Sequence, residues 1–178
     1  MIKFISIDSS LANTGIAVGT IDSEKNIKVD SIHLHVTEKS KHKQVRASSD
    51  TIYRCRSTWN FITDIIKKEN PSVIFMETPS GSQSSSGMKS YGATCQLIAS
   101  LNPSPIEVTP TEVKVASVGN KTASKVDMIN WAYNLYPGLN WLWHANKLQA
   151  KNEHMADAIA ILYAGISTQE FERIIKII

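Results

Sequence analysis

The segment Met155-Ala-Asp-Ala-Ile-Ala-Ile-Leu-Tyr-Ala-Gly165 carries apolar side chains almost all the way round a helix. A helix of that kind belongs inside a fold, not on its surface. Asp157 stands among those side chains, and taking a carboxylate out of water costs several kcal/mol unless something compensates it. Whatever the chain folds into must therefore bury this helix and either neutralise Asp157 or use it. With 178 residues the chain suits one domain, residues 1–178, able to bury roughly 70% of its unfolded surface. At 42% hydrophobic and 20% charged residues, that domain is globular and not disordered.

Three predicted strands come first: Lys3–Asp8, then Ile16–Thr20 and Ile27–Val36, joined by short turns in the manner of an antiparallel meander. Gln44–Asn70 has the periodicity of a long helix, with Ile52, Cys55, Trp59, Ile62 and Ile66 spaced along one face. Ser72-Val-Ile-Phe-Met-Glu77 is a nearly continuous apolar strand, which predicts a central position in a sheet. A Ser- and Gly-rich loop, Thr78–Gly87, leads to a helix over Met88–Leu101 and a strand over Ile106–Val108. Pro110 opens a further helix at its favoured first turn, Ala123–Tyr136 is helical, and a Trp-rich loop precedes the apolar helix Glu153–Gly165. Gln169–Ile178 closes the chain. This order predicts an α/β domain whose mixed sheet has an antiparallel half and a parallel half, with helices on both faces.

Two strands end in an acid. Phe4, Ser6 and Asp8 share one face of the first, and Val73, Phe75 and Glu77 share one face of the fourth. Ligands of open α/β sheets sit outside the carboxyl ends of the strands, so Asp8 and Glu77 are placed to meet there. A helix packed over the same edge would add Asp157. His154 and Glu153, three and four residues earlier, are its neighbours on that helix. An oxygen-rich set of this kind suits Mg²⁺, with Mn²⁺ as a substitute. Taken singly, Asp8 could shape a turn, Glu77 could cap a strand end and Asp157 could pair with a lysine.

No run of about 18 apolar residues is present, so no membrane-spanning helix is expected. The first residues lack the apolar core of a signal peptide. Cys55 and Cys95 form no disulfide- or ligand-like pattern and are expected to be reduced core thiols of a cytoplasmic protein. Net charge is only +3. Its distribution is uneven: Lys39, Lys41, Lys43, Arg46, Arg54 and Arg56 face a single acid, Asp50, and Lys114, Lys121 and Lys125 form a second basic set. Such runs are either solvated surface or the footprint of a polyanion.

Several blocks together resemble the RuvC-like Holliday junction resolvases, including phage-type members of broad specificity. Ile5-Ser-Ile-Asp8-Ser-Ser-Leu-Ala-Asn-Thr-Gly15-Ile-Ala-Val is similar to their opening strand, acid and Thr-Gly turn. Val73-Ile-Phe-Met-Glu77 resembles their second acidic strand. Val108-Thr-Pro-Thr-Glu-Val-Lys114 and Val118-Gly-Asn-Lys-Thr-Ala-Ser-Lys125 resemble the stretch before the last acidic helix, and His154-Met-Ala-Asp157-Ala-Ile resembles the final motif. The resemblance implies a ribonuclease H-like fold with a five-stranded sheet, and a homodimer that cuts four-way DNA junctions. It implies Asp8, Glu77, His154 and Asp157 as the catalytic quartet holding two Mg²⁺ ions, with Glu153 as a substitute for His154. A histidine in that set implies activity that falls as the imidazole protonates, below about pH 6.5. Lys114 and Lys125 correspond to lysines that reach DNA, and Lys121 lies near them.

The chain departs from the pattern in the loop after Glu77, which has no aromatic residue to wedge into a junction. Met88 and Tyr91 are the nearest candidates, and a debranching nuclease acting on junctions and forks suits this loop as well as a strict resolvase. Trp141 and Trp143 are two residues apart, which predicts one buried and one exposed. Two alternatives stand beside the nuclease: a branched-DNA-binding protein of the same fold without catalysis, and an ATP-handling protein of the actin and sugar-kinase architecture.

Overall fold

A computed structural model describes residues 1–81 and 83–177; Ser82, inside the predicted loop, and Ile178 lie outside the described residues. The five main strands, β1 (Ile2–Ser9), β2 (Asn13–Ile21), β3 (Ile27–Val36), β4 (Val73–Glu77) and β5 (Ile106–Val108), form one sheet in the order β3-β2-β1-β4-β5. β1, β2 and β3 pair antiparallel, whereas β1–β4 and β4–β5 pair parallel. The expected mixed sheet is present, with β1 at the junction of its two halves.

Alternation along the strands divides the interior into two cores. Ile5, Ile7, Ile16, Val18, Ile74 and Met76 face one way. There they meet Ile62 of α1 (Ala47–Glu69) and Leu97 of α2 (Ser85–Ser100). Phe4, Ala17, Val73 and Phe75 face the other way. They are covered by α5 (Glu153–Gly165), with α3 (Pro110–Val118), α4 (Lys125–Leu135) and α6 (Gln169–Ile175) packed around it. Helices thus cover both faces. The apolar helix α5 crosses β2, β1 and β4, and nine of its thirteen residues are buried.

Glycine permits this crossing. A Cβ on Gly15 would lie 1.9 Å from the carbonyl oxygen of His154, and one on Gly165 would lie 2.1 Å from the ring of Phe75. The backbone of α5 therefore rests directly on β2 at one end and on the Phe75 ring at the other. Gly15 is not the turn glycine the sequence suggests: β2 begins at Asn13, two residues before it, and its φ is not positive.

Side-chain caps set the remaining helix ends. Thr109 with Glu112, and Ser124 with Asp127, form reciprocal capping boxes, so α4 starts at Lys125 instead of Ala123. Ser84 accepts a hydrogen bond from the Gly87 backbone N–H, which starts α2 one turn before Met88. The long helix begins at Ala47, not Gln44, and its apolar stripe is buried only toward its C-terminal half: Ile62 is fully buried, Ile52 is 58% exposed. Cys55 and Cys95 are free thiols, half-buried and not in the core. Arg54 does not belong to the solvated basic run. It is buried, donating from Nε to Thr37 Oγ1 and from Nη2 to the Leu11 carbonyl, each at 2.9 Å. No helix among the described residues is long and apolar enough to cross a membrane.

Gly15→Ala forces a methyl group into the helix backbone, an overpacking that costs about 1–3 kcal/mol. It lowers Tm by about 3–10 °C in a chain of this size. Gly92→Ala, in the middle of α2 where an added Cβ meets nothing within 4 Å, leaves Tm unchanged or raises it. Thermal unfolding of the two variants checks the contrast.

Candidate active site

β1 and β4 run parallel with Ile7 opposite Met76, so Asp8 and Glu77 are the next residues on neighbouring strands and leave the sheet side by side. Both project on the face that carries α5. In the antiparallel pairing, Asp8 lies opposite Gly15, where the first turn of α5 touches the sheet. His154, on that turn, has its Nδ1 2.8 Å from Asp8 Oδ2, and its Nε2 is 3.3 Å from Glu153 Oε1. Asp157 follows one turn along α5, half-buried. Lys125, at the start of α4, pairs with Glu153 at 2.9 Å while remaining mostly exposed.

The electrostatics of this rim follow from too many buried carboxyls and too little positive charge. Burial pushes the Glu77 carboxyl up to about 8, and the neighbouring charges of Asp8 and Asp157 push the same way; Lys114 opposes them. Asp157 is pushed up to about 7 by burial and by Asp8 and Glu153, against relief from His154 and Lys114. His154 is raised. Burial acts to lower it, but the hydrogen bond to Asp8 and the charges of Asp8, Glu153 and Asp157 outweigh that effect. The imidazolium therefore persists above the pH of about 6.5 at which the sequence alone places its titration.

The structure brings Asp8, Glu77, His154 and Asp157 to one rim of the sheet, with Lys114 close enough to act on both Glu77 and Asp157. Lys121 is exposed in the α3–α4 connection. Met88, 48% exposed, and Tyr91, half-buried, ride on the first turns of α2. Those turns sit beside the loop that leaves Asp8: the Leu11 N–H donates to Ser90 Oγ at 3.4 Å, and Thr94 Oγ1 donates to the Ser9 carbonyl at 3.4 Å. The neighbouring Cys95 raises the pKa of the Tyr91 hydroxyl.

Sequence inspection missed three parts of this arrangement. The bridge from Lys125 through Glu153 to His154 depends on α4 and α5 meeting end to end. Gly15 acts by close approach. The Ser6 hydroxyl, two residues before Asp8 on the same face, is buried without a hydrogen-bond partner among the described residues.

The donor set is hard: carboxylate oxygens, one imidazole and a deficit of positive charge. A divalent cation such as Mg²⁺ or Mn²⁺ fits it chemically. Among the described residues, however, no three His, Cys, Asp or Glu side chains are drawn together as a finished metal cage. Both ring nitrogens of His154 are occupied, by Asp8 and by Glu153.

No protein-family model and no curated protein matches the sequence. Solved structures do match. RuvC of Thermus thermophilus in complex with Holliday junction substrate superposes with a TM-score of 0.62 at 17% identity, covering 92% of each chain. The chain has the fold of the RuvC-type Holliday junction resolvases. The yeast mitochondrial Holliday junction resolvase matches with a TM-score of 0.59 at 14% identity, over 97% of this chain and 84% of that one. The fowlpox virus resolvase, solved with Holliday junction DNA, matches at 0.52 and 18% identity, over 96% and 98%. The ribonuclease H-like fold implied by the resemblance is thus present along nearly the whole chain.

The raised carboxyls predict how stability varies with pH. Unfolded Asp157 and Glu77 lose their protons near pH 4, whereas the folded chain keeps them to about 7 and 8. Their contribution to stability is therefore complete below about pH 4 and is lost as pH rises toward 8. Asp157→Asn removes one such group and relieves the other. Metal-free Asp157→Asn is expected to melt about 3–8 °C above wild type at pH 8, and half that or less at pH 5. Equal differences at the two pH values in a melting series would contradict the assignment.

Proposed function

We propose that the chain is a divalent-metal-dependent endonuclease that cleaves four-way DNA junctions and other branched DNA, acting as a homodimer. The observation that carries the proposal is the convergence of Asp8, Glu77 and Asp157 from three separate elements on one rim, with two of the three carboxyls pushed toward protonation by burial and by neighbouring carboxylates. A structure that only bound DNA gains nothing from anions facing phosphate. The RuvC-type fold and the lysines at the rim support the same conclusion.

Asp8, Glu77 and Asp157 would hold the cations, with His154 as the fourth group and Glu153 beside it. Bound Mg²⁺ supplies Lewis acidity at the scissile phosphate and a positive field that lowers the pKa of a bound water. The chain's own residues do the rest. Asp8 and Glu77 come from adjacent strands of the buried sheet, so their spacing is fixed by the sheet and not by loops. His154 orients Asp8 through Nδ1, and its charge state sets how negative the rim is. Raised proton affinities at Glu77, Asp157 and His154 make cation binding stronger as pH rises, because each proton must leave before the group can serve as a ligand.

Lys114 and Lys125 flank the rim and Lys121 lies on the connection between their helices; these give phosphate contacts that position a strand without reading its sequence. Lys125 is held by Glu153, so a phosphate arriving there competes with a carboxylate, which tunes affinity. Met88 and Tyr91, beside the loop after Asp8, are the groups placed to contact bases at a branch point. Two symmetric cuts across a junction require two sites related by a twofold axis, which two copies supply. An apolar cleft of about 380 Å³ between α1 and α2, lined by Ile52, Cys55, Trp59 and Leu97, offers a surface for that pairing.

With synthetic four-way, forked and linear DNA, wild type is expected to nick the branched substrates only when Mg²⁺ or Mn²⁺ is present. Asp8→Asn and Asp157→Asn each lower cleavage at least about 10³-fold, the several kcal/mol of lost charge stabilisation, while junction binding in gel-shift assays is retained. Metal-dependent cutting by both variants would overturn the proposal.

A further inference from the structure

Between Asp127 and Glu153 the chain has no acidic residue, yet those 25 positions hold three of its four tryptophans together with Lys147 and Lys151. The structure makes part of this stretch into a hairpin that the sequence presents only as a loop. β6 (Trp143–His144) pairs with β7 (Lys147–Leu148) across Ala145 and Asn146, both in the left-handed region at φ 45° and 58°. Successive positive φ values are the geometry of the tight turn that matches strand twist, and alanine adopts them only where its surroundings impose them.

The surroundings do so. Asn152 clamps the base of the hairpin, accepting from the Leu142 N–H and donating to the Leu142 carbonyl, both at 2.8 Å. Gln149 Nε2 donates to the Trp143 carbonyl at 2.9 Å. Trp141 is buried and donates its indole N–H to the Tyr136 carbonyl at 2.8 Å. Trp143 is 49% exposed, packed edge-to-face on Tyr133 at 5.6 Å. The expected division of the two indoles is present, and the exposed one packs on Tyr133.

Its neighbours identify what it meets. His144, Asn146, Lys147 and Lys151 are exposed along the hairpin and the turn after it, with Lys147 opposite His144 on the face away from Trp143 and Leu148, and no ion pair ties up either lysine among the described residues. A protein-docking patch would be rimmed by further apolar side chains. A single exposed indole on one face of a hairpin whose other face carries a free lysine suits a nucleic-acid strand lapping the hairpin, its base on the indole and its phosphate toward the lysine. The place is also apt. Tyr133, beneath Trp143, lies eight residues along α4 from Lys125, which is about 12 Å at 1.5 Å per residue, the rise of three or four stacked nucleotides. Lys125 is bridged to the acid rim through Glu153.

We propose that hairpin 141–148 is a binding element for unpaired nucleotides, in which Trp143 stacks on a base that has lost its neighbour at a branch and Lys147 holds an adjoining phosphate. The choice of DNA as ligand rests on the nuclease reading above. It sorts branched from continuous DNA, a task for which the loop after Glu77 has no aromatic side chain.

The test measures binding of the full chain by fluorescence anisotropy in EDTA, so that nothing is cut, to a four-way junction, to oligo(dT) and to a linear duplex. Trp143→Ala is expected to weaken junction and oligo(dT) binding at least about tenfold and duplex binding less than about twofold. Trp143→Phe, which keeps a ring, stays within about threefold of wild type throughout and controls for folding. Lys147→Ala lowers the slope of log affinity against log salt by about 0.9. Unchanged junction and oligo(dT) binding by Trp143→Ala, equal loss on all three DNAs, or loss of self-association in sedimentation with DNA binding intact would each overturn the proposal. Cleavage is scored separately with Mg²⁺. Wild type that binds oligo(dT) through Trp143 but never cuts branched DNA leaves the hairpin proposal standing and removes the nuclease reading. Wild type that cuts while Trp143→Ala binds normally does the reverse, and wild type that binds none of the three DNAs removes both.

Discussion

Helix α5 rests backbone against backbone on β2 at Gly15, and the placing of His154 and Asp157 over the strand acids follows from that contact. A strand residue with any side chain would hold the helix off by the width of a methyl group, since the missing Cβ would stand 1.9 Å from the His154 carbonyl. Because Asp8 pairs with Gly15 across the sheet, the same contact places the first turn of the helix over the acid at the end of β1. Small residues carry the approach onward: Ala156, Ala158, Ala160 and Ala164 are all buried. The helix that has to be interior is thereby seated against the sheet, and its half-buried Asp157 comes near the two strand acids.

The charge problem posed by Asp157 is not solved inside the chain. A private lysine partner would have lowered its proton affinity, whereas Asp157 and Glu77 are both raised, with Lys114 giving only partial relief. Sites at which several like charges are forced together and left short of compensation are usually functional. Here the deficit takes a form that a divalent cation corrects. His154 partly fills that role through Asp8, and Lys125 through Glu153, which gives the rim two internal counter-charges.

Period-two alternation and the positions of the strand-ending acids made the mixed sheet, its two covered faces and the meeting of Asp8 with Glu77 legible in the sequence. Asp8 and Glu77 were readable because parallel neighbours bring their carboxyl ends together. What stayed hidden depends on distances in space. Gly15 looked like a turn residue, since a close-approach glycine and a turn glycine are the same letter. Arg54 looked like surface charge because its partners, Thr37 and the Leu11 carbonyl, lie 17 and 43 residues away. The hairpin around Trp143 was missed because its strands are two residues each and its turn is Ala-Asn, without the glycine that usually marks such a turn. The shift in His154 titration arises from neighbours that only the fold supplies.

Burial and neighbouring carboxylates leave Glu77 and Asp157 holding protons that a bound divalent cation would displace. Calorimetric titration of Mg²⁺ or Mn²⁺ into the metal-free chain at pH 7, repeated in buffers of different ionisation enthalpy, measures that exchange directly. At least about one proton released per chain on cation binding is predicted, from Glu77, Asp157 and His154 together. Cation binding without proton release, or no binding at all, would contradict it.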